Sequence, residues 1–499
     1  MQGMADHQRA QRAFIALWGL ALLAKVIVAA HLPLFVDEAF YWQEAQSPAW
    51  AYSDLPGMSA WLAWLGTAVG GDTLLGVRWP FLLIGALVPW WVVRIGMLVG
   101  RARDAWRAGM LAVVLPLSGT LGILALPDVP LALATVLCLE AGVRLVRMVE
   151  LRAVLLLALG LVLGGLSHYR FVAVIGVGFL VLLWLPAGRR ALRDPRVWVG
   201  IAAGALAWVP LLAWNLANGD AGLRFQLVDR HPWAPHADGW WFVPVQLAVV
   251  TPLLAVALAM AARDQLTPAT PAPRRYLAAC GAAIALGFFV LGWFADRDRV
   301  SFHWPLPAWL ALLPLVPALL QRWSPRWRRA TWGVAIAGGL LAVGGFAAVS
   351  LPAVRTALAG SKAYPANFAG WGALATATRS ALASMPPGTR VVADHFKIGS
   401  QLGFARRDPA ITVLDHPLNH HHGRAPQLRL WGLEADALPR GPLLVVAGPS
   451  DLPPREQLGR WHALCARLGP LPPPRVVQVD HGHQRFLLFP LPQGARPGG

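Results

Sequence analysis

Eleven apolar runs punctuate the chain, at about residues 13–32, 75–99, 107–126, 129–147, 153–167, 171–186, 197–217, 241–262, 276–294, 302–320 and 331–351. Most approach the roughly 20 residues a helix needs to cross a hydrocarbon core. The pair 153–167 and 171–186 is shorter and is broken only by His168-Tyr169-Arg170. Of 499 residues, 56% are hydrophobic and 14% charged, where a soluble domain has about a quarter charged. Mean hydropathy is +0.51. These values exclude a disordered, collagenous or disulfide-scaffold chain. The three cysteines, Cys138, Cys280 and Cys465, cannot build a disulfide framework and show no metal-type spacing. A polytopic α-helical membrane protein is the class that remains.

The charges give the orientation. With the N-terminus cytoplasmic, the connections on that side carry Arg101, Arg103 and Arg107, then Arg144, Arg147 and Arg152, then Arg189, Arg190, Arg193 and Arg196. Arg263, Arg274 and Arg275 follow, and then Arg322, Arg326, Arg328 and Arg329. The opposite connections hold Asp37, Glu38, Glu44, Asp54 and Asp72, then Asp128, then Asp220, Asp229 and Asp238, then Asp296 and Asp298. This alternation is the positive-inside pattern. It also accounts for the net charge of +18 without nucleic acid, because the basic residues form no single patch. The first run reads as an uncleaved signal anchor.

An odd number of spans places residues 352–499 outside the cytoplasm. This tail has strand-like runs at 390–393, 410–414, 443–447, 475–479 and 485–489, and helical patterns at 370–385 and 456–468. The alternation predicts a small α/β domain. The division by sequence is 1–351 for the membrane part, including a first external loop at 33–74, and 352–499 for the soluble part.

Polar residues gather on the external side. Asp37-Glu38 follows the first run directly, ahead of Phe40, Tyr41, Trp42, Trp50, Tyr52, Trp61 and Trp64, a composition that suits a helix in the membrane interface. A carboxylate there can act as a general base, hold a metal, or be a solvated loop acid. Asp128 sits between Pro127 and Pro130, as a site acid or a plain turn residue. Arg224, Arg230 and His231 break the acidic trend of their side. Guanidinium forks suit phosphate oxygens, and interfacial arginines also snorkel to headgroups. His168-Tyr169-Arg170 is a second exception. Asp296-Arg297-Asp298-Arg299, followed by His303, is a third and reads as a self-satisfied ion cluster. Lys25 lies within the first run, where a cation is a functional candidate or snorkels. In the tail, Asp394-His395-Phe396-Lys397 and the stretch from Asp415 to Arg424, with His420-His421-His422, stand out. The second reads as a polar loop or a metal site. No Walker motif or Gly-rich dinucleotide loop is present, so nucleotide-driven chemistry has no support.

The order of these motifs resembles the GT-C fold glycosyltransferases of family 39, the branch with the protein O-mannosyltransferases and the lipid A aminoarabinose transferase. Phe35-Val36-Asp37-Glu38-Ala39-Phe40-Tyr41-Trp42 is similar to the family's first-loop acidic motif. Tyr52-Ser53-Asp54-Leu55-Pro56-Gly57-Met58 is similar to the acidic-basic-Pro-Pro segment that follows, and Leu126-Pro127-Asp128-Val129-Pro130-Leu131 to the second acidic motif. Gly165-Leu166-Ser167-His168-Tyr169 resembles a Gly-Leu-Ser-Lys-Tyr segment. Pro210 to Asn215 with Arg224-Phe225-Gln226 fits as well, and 397–404 and 414–431 look like the external domain of bacterial members.

The resemblance implies a GT-C type protein of about eleven transmembrane helices with a small periplasmic α/β domain, in the inner membrane. It implies inverting transfer of a sugar from a polyprenyl-phosphate-linked donor to a lipid A-type glycolipid, glycan or protein, with membrane lipid as a further partner. Asp37 would be the leading catalytic acid, assisted by Glu38 and Asp128. A divalent cation (Mg or Mn), if used, would sit on those three. Arg224, Arg230, Arg170 and His168 would serve the donor phosphate, and Tyr41, Asp54 and His231 the substrate loop. Two departures stand out. Leu55 occupies the place of a basic residue with Gly57 at the second proline, and His168 that of a lysine. Both remove a phosphate contact. The rival readings are a transporter or flippase of lipid-linked sugars and a non-catalytic scaffold. The polar residues lie on one side, and no inverted repeat or mid-depth acid pair is visible.

Overall fold

The computed structural model describes residues 2–229, 233–294, 302–434 and 440–494, with side chains from residue 6 onward. Each of the eleven apolar runs is mainly helical. Among the described residues, five helices are long and apolar enough to cross a membrane, and a bent pair adds a sixth. The others are shorter or broken, with local causes. The run at 107–126 divides at Leu115 into Ala102–Val114 and Pro116–Gly119, because Pro116 cannot continue the hydrogen-bond ladder. The run at 241–262 becomes Phe242–Val250 and Pro252–Gln265; the broken pair bends by 103°. Its hinge is Thr251, at φ 75°, directly before Pro252.

The chain forms two compact units, and the division is not the one that sequence position suggests. The first comprises Met1–Ala30, Leu55–Leu62 and Arg78–Gly345, and the second His31–Asp54, Ala63–Val77 and Phe346–Gly499. Most of the first external loop therefore packs with the tail.

In the first unit, the helix Asp128–Leu145 lies against Leu151–Ser167, Phe171–Trp184, Ala272–Leu291 and Leu306–Leu312. Glycines allow the close approach. A Cβ at Gly160 would stand 2.6 Å from Cys138 Sγ, and one at Gly204 would stand 2.4 Å from Leu161 Cβ. Buried polar groups tie helices together. Lys25 Nζ donates to Leu121 O at 2.9 Å, so this cation satisfies a stray carbonyl. Glu140 accepts from Arg94 at 2.8 Å and Arg144 at 2.9 Å.

The second unit is an α/β sandwich. Its sheet has the order β2-β1-β3-β5-β4, with β1 Arg390–Ala393, β2 Thr412–Val413, β3 Leu443–Ala447, β4 Arg475–Val479 and β5 Gln484–Leu491. β1 runs parallel to β2 and β3, and β5 runs antiparallel to β3 and β4. Strand alternation sorts the residues by face. Val391, Ala393, Leu444 and Val446 meet Leu374, Phe396 and Leu402 from helices Trp371–Ala383 and Phe396–Arg406. Val392, Leu443 and Val445 face Leu464 and Leu468 of Pro454–Leu468. Val36 and Phe40 of the loop helix Val36–Ala45 join the first of these cores.

This corrects the expectation of an interfacial helix. Phe40 packs on Phe396 (5.8 Å between ring centroids) and Trp431 (5.7 Å), and Trp42 on Phe404 (5.5 Å). Their aromatic surface is buried against protein, whereas Trp50 and Trp64 remain exposed.

Candidate active site

The loop helix begins at Val36, and its first turn carries Asp37 and Glu38, as suits the positive end of a helix. The two acids then part company. Glu38 is buried and accepts a hydrogen bond from Phe35 N–H at 2.8 Å, closing the helix start. Asp37 lies on another face, with Tyr41 and Glu44 one and two turns on. That face meets Arg424.

Arg424 is the centre of the cluster. Its guanidinium donates through Nη2 to Asp37 Oδ1 at 3.1 Å and through Nη1 to Asp54 Oδ2, with Glu44 Oε1 at 3.7 Å. It also stacks over Phe40 at 4.2 Å and Tyr41 at 5.3 Å. The side chains of Arg424, Glu44 and Asp54 are 4%, 1% and 4% exposed, against 26% for Asp37. Among the three acids on this arginine, Asp37 is the one open to an incoming molecule.

The tail holds the loop at several points. Ser53 Oγ donates to Gly423 O at 2.5 Å, Gln401 Nε2 to Leu34 O at 2.9 Å, and Gln43 Nε2 to Pro409 O at 2.7 Å. The loop therefore forms one built site with the helix Phe396–Arg406, the turn after it, and the turn between the helices Pro417–His421 and Ala425–Leu430.

Three carboxylates around one guanidinium cannot all remain charged out of water. Burial pushes Glu44 well above the ordinary carboxylate range, the Asp54 charge adds to this, and Arg424 opposes it. Burial also raises Asp54, with Arg424 again opposing. Arg424 itself is raised: burial works against its charge, but Asp54, Tyr41, Asp37 and Glu44 outweigh it. Both shifts favour a proton shared by the Glu44–Asp54 pair.

This has a consequence for stability. A carboxyl with a higher pKa folded than unfolded binds extra proton in the native state. Its contribution is complete below about pH 4 and is lost as pH rises through the folded value. Thermal unfolding should shift to lower temperature as pH climbs above the carboxylate range. Glu44→Gln keeps the shape without titrating and should flatten that slope; an unchanged slope would dismiss the shared proton. For Glu38, the expected cost of Glu38→Ala is about 1 kcal/mol of stability, with transfer retained in the folded protein. Loss of transfer at full stability would return Glu38 to the chemistry.

The remaining candidates fall in the first unit. Asp128 opens its helix and is paired with Arg170, with His303 Nε2 at 3.5 Å. Arg170 Nη1 lies 3.3 Å from the same His303 nitrogen. His168 Nδ1 accepts Arg170 N–H at 3.1 Å, so it shapes the turn that carries the arginine. Asn215 donates to Tyr169 OH at 2.9 Å and accepts from Leu223 N–H at 3.0 Å, fixing the chain before Arg224. The Arg224 side chain is 69% exposed, with Asp229 at 3.4 Å. Arg230 and His231 lie outside the described residues, as does the 296–299 cluster.

The carboxylates named for a divalent cation each already carry a donor. Asp37 is answered by Arg424, Glu38 by a backbone N–H, and Asp128 by Arg170. No step is routed through a cation. In the His-rich stretch, His416 Nδ1 accepts Leu418 N–H at 3.0 Å, and burial, then His395, bring its pKa down to about 2. Among the described residues, Asp415, His420 and Glu434 have metal-capable geometry. Glu434 is already engaged by Arg429 at 2.8 Å and Asn419 at 3.1 Å.

Sequence reasoning singled out the stretch that ends at Arg424 and the cluster before His303, but placed neither of these residues, nor Glu44, in the site. Glu44 could have been found by its spacing of seven residues from Asp37 on a helix. Arg424 and His303 carry no such signal.

Comparison with known proteins agrees with this architecture. Residues 54–214 match the family described as dolichyl-phosphate-mannose-protein mannosyltransferase. The lipid A galacturonosyltransferase RgtD of Rhizobium johnstonii is 28% identical over 233 residues. That match covers 45% of this chain, and the chain spans about half (48%) of that relative's length. The structure of ArnT from Cupriavidus metallidurans in the apo state aligns with a TM-score of 0.65 at 15% identity, over 96% of this chain and 98% of the other. The same protein bound to undecaprenyl phosphate aligns at 0.64 and 15%, over 95% and 97%. The chain thus shares the fold of the ArnT structures, in keeping with the GT-C type architecture expected from its loop motifs.

Proposed function

We propose that the chain is an inner-membrane glycosyltransferase that moves a sugar from a polyprenyl-phosphate carrier to a lipid A-type acceptor on the periplasmic face. The observation that carries this reading is the Asp37 carboxylate, a quarter exposed and held from behind by the buried Arg424. The relatives support the substrate classes: one is named as a lipid A galacturonosyltransferase, and another is seen with undecaprenyl phosphate. The eleven helical runs and their charge alternation support multiple spans, with the N-terminus inside.

The chemistry is a single displacement with inversion. The acceptor oxygen forms a bond to the anomeric carbon as the bond from that carbon to the carrier phosphate breaks, and the electron pair leaves on the phosphate. Where the acceptor is a hydroxyl, Asp37 takes its proton. Where it is a phosphate, no proton need be taken and Asp37 only positions neighbouring groups. Arg424 holds Asp37 in position, and the leaving phosphate needs a cation at the interface. Arg224 is the most available, since Arg170 is engaged by Asp128.

Purified protein given a polyprenyl-phosphate sugar and a lipid A acceptor should release polyprenyl phosphate and glycosylated lipid in equal amounts. Carrier turnover without product, or movement of intact carrier across a vesicle bilayer, would favour the transporter reading.

A further inference from the structure

The helix Pro325–Ser350 belongs to the first unit up to Gly345, with Thr331 and Ala335 as its buried residues. A cavity of about 590 Å³ opens beside the start of this helix. Arg107, Arg328, Arg329 and Gln321 line one part of it, and Leu17, Met110, Trp332 and Ile336 another. Arg329, Trp332 and Ile336 follow each other at helical spacing. Gly333 sits in the same stripe, and a Cβ there would meet nothing within 4 Å. The cavity is thus charged at the helix start and apolar further along.

Its charge is poorly answered. Among the described residues, no carboxylate lies within 4 Å of Arg328 or Arg329, and Arg107 has only Asp104 at 3.8 Å. A neighbouring cavity on the same side differs. There Arg274 donates to Val99 O at 2.6 Å, and Arg322 is paired with Asp264.

We propose that this cavity binds an anionic phospholipid, with the headgroup phosphate on Arg107, Arg328 and Arg329 and one acyl chain along Met110, Trp332, Gly333 and Ile336. Guanidinium groups at a helix end above an apolar stripe match a phosphate joined to a hydrocarbon chain. The three arginines lie in connections whose charge places them on the cytoplasmic side, the face where a basic pocket between helices meets anionic headgroups. The site is separate from the transfer chemistry and does not rest on it.

The test is native mass spectrometry of the full-length protein released from vesicles of phosphatidylglycerol and phosphatidylcholine in equal parts. A parallel arm adds polyprenyl phosphate. The wild type should retain phosphatidylglycerol at least about tenfold over phosphatidylcholine, given roughly 1 kcal/mol per arginine. R328Q/R329Q should lower the ratio to the few-fold preference that Arg107 alone supports. Gly333→Phe, which fills the apolar part and leaves the charges, should lower total retention and serves if the double variant does not fold. Equal retention of both phospholipids by the wild type would overturn the proposal. So would an unchanged ratio in a folded double variant, or displacement of phosphatidylglycerol by trace polyprenyl phosphate.

Discussion

Asp37→Asn should reduce transfer by about 10³-fold with little change in protein level or melting temperature, within the usual range for removing a general base. The amide keeps the size of the carboxylate and can still meet Arg424 through its oxygen. It cannot accept a proton from an acceptor hydroxyl. Asp37 is partly exposed and sits in the first turn of its helix, so neutralising it leaves no buried group unpaired. The measurement is single-turnover transfer by purified protein, which separates chemistry from donor binding. A wild-type rate would remove Asp37 from the mechanism. A modest loss would indicate an acceptor that arrives already ionised, such as a phosphate.

The second large effect is expected at Arg424. Arg424→Met leaves Asp37, Glu44 and Asp54 facing an apolar side chain. Breaking a buried ion pair from one side costs about 3–5 kcal/mol. The tail should therefore melt earlier, and transfer should fall at least about 10²-fold because Asp37 loses its anchor. Stability and activity can then be separated. Adding Asp54→Asn and Glu44→Gln removes the uncompensated charge and should restore much of the melting temperature. It should not restore transfer, since Asp37 remains unsupported. Recovery of both in the triple variant would make Arg424 structural only. Arg424→Lys should be intermediate, because one ammonium cannot span Asp37 and Asp54 as the planar fork does.

The contrast between what the sequence revealed and what it concealed is physical. Strands such as Leu443–Ala447 and Arg475–Val479 were legible to the residue, because short apolar runs between Gly and Pro have few other solutions. The apolar runs were legible as helices, and their proline breaks at Pro116 and Pro252 account for the shorter pieces. Asp37 was singled out by its position after the first run and by its motif, and it lies partly exposed beside Arg424. Arg424 was not, because it stands 387 residues from Asp37 in the chain and 370 from Asp54. A pairing at that separation leaves no periodicity to read. The same docking explains the buried Phe40 and Trp42, which composition alone assigned to the membrane interface.

The departure at Leu55 also takes on meaning. The related motif carries a basic residue there, and this chain has none. In the folded protein the positive charge beside Asp54 comes instead from Arg424 of the tail. The acidic loop is thus not left without a counter-charge, and the tail is part of the candidate site.

The most direct test of the account is mass spectrometry of envelope lipids from a strain lacking this protein, complemented with wild type or with Asp37→Ala at matched levels. The account predicts that one sugar disappears from a lipid A-type acceptor in the deletion strain, and that wild type alone restores it. Full restoration by Asp37→Ala would contradict it, leaving the carboxylate structural and the transport or scaffold reading in front.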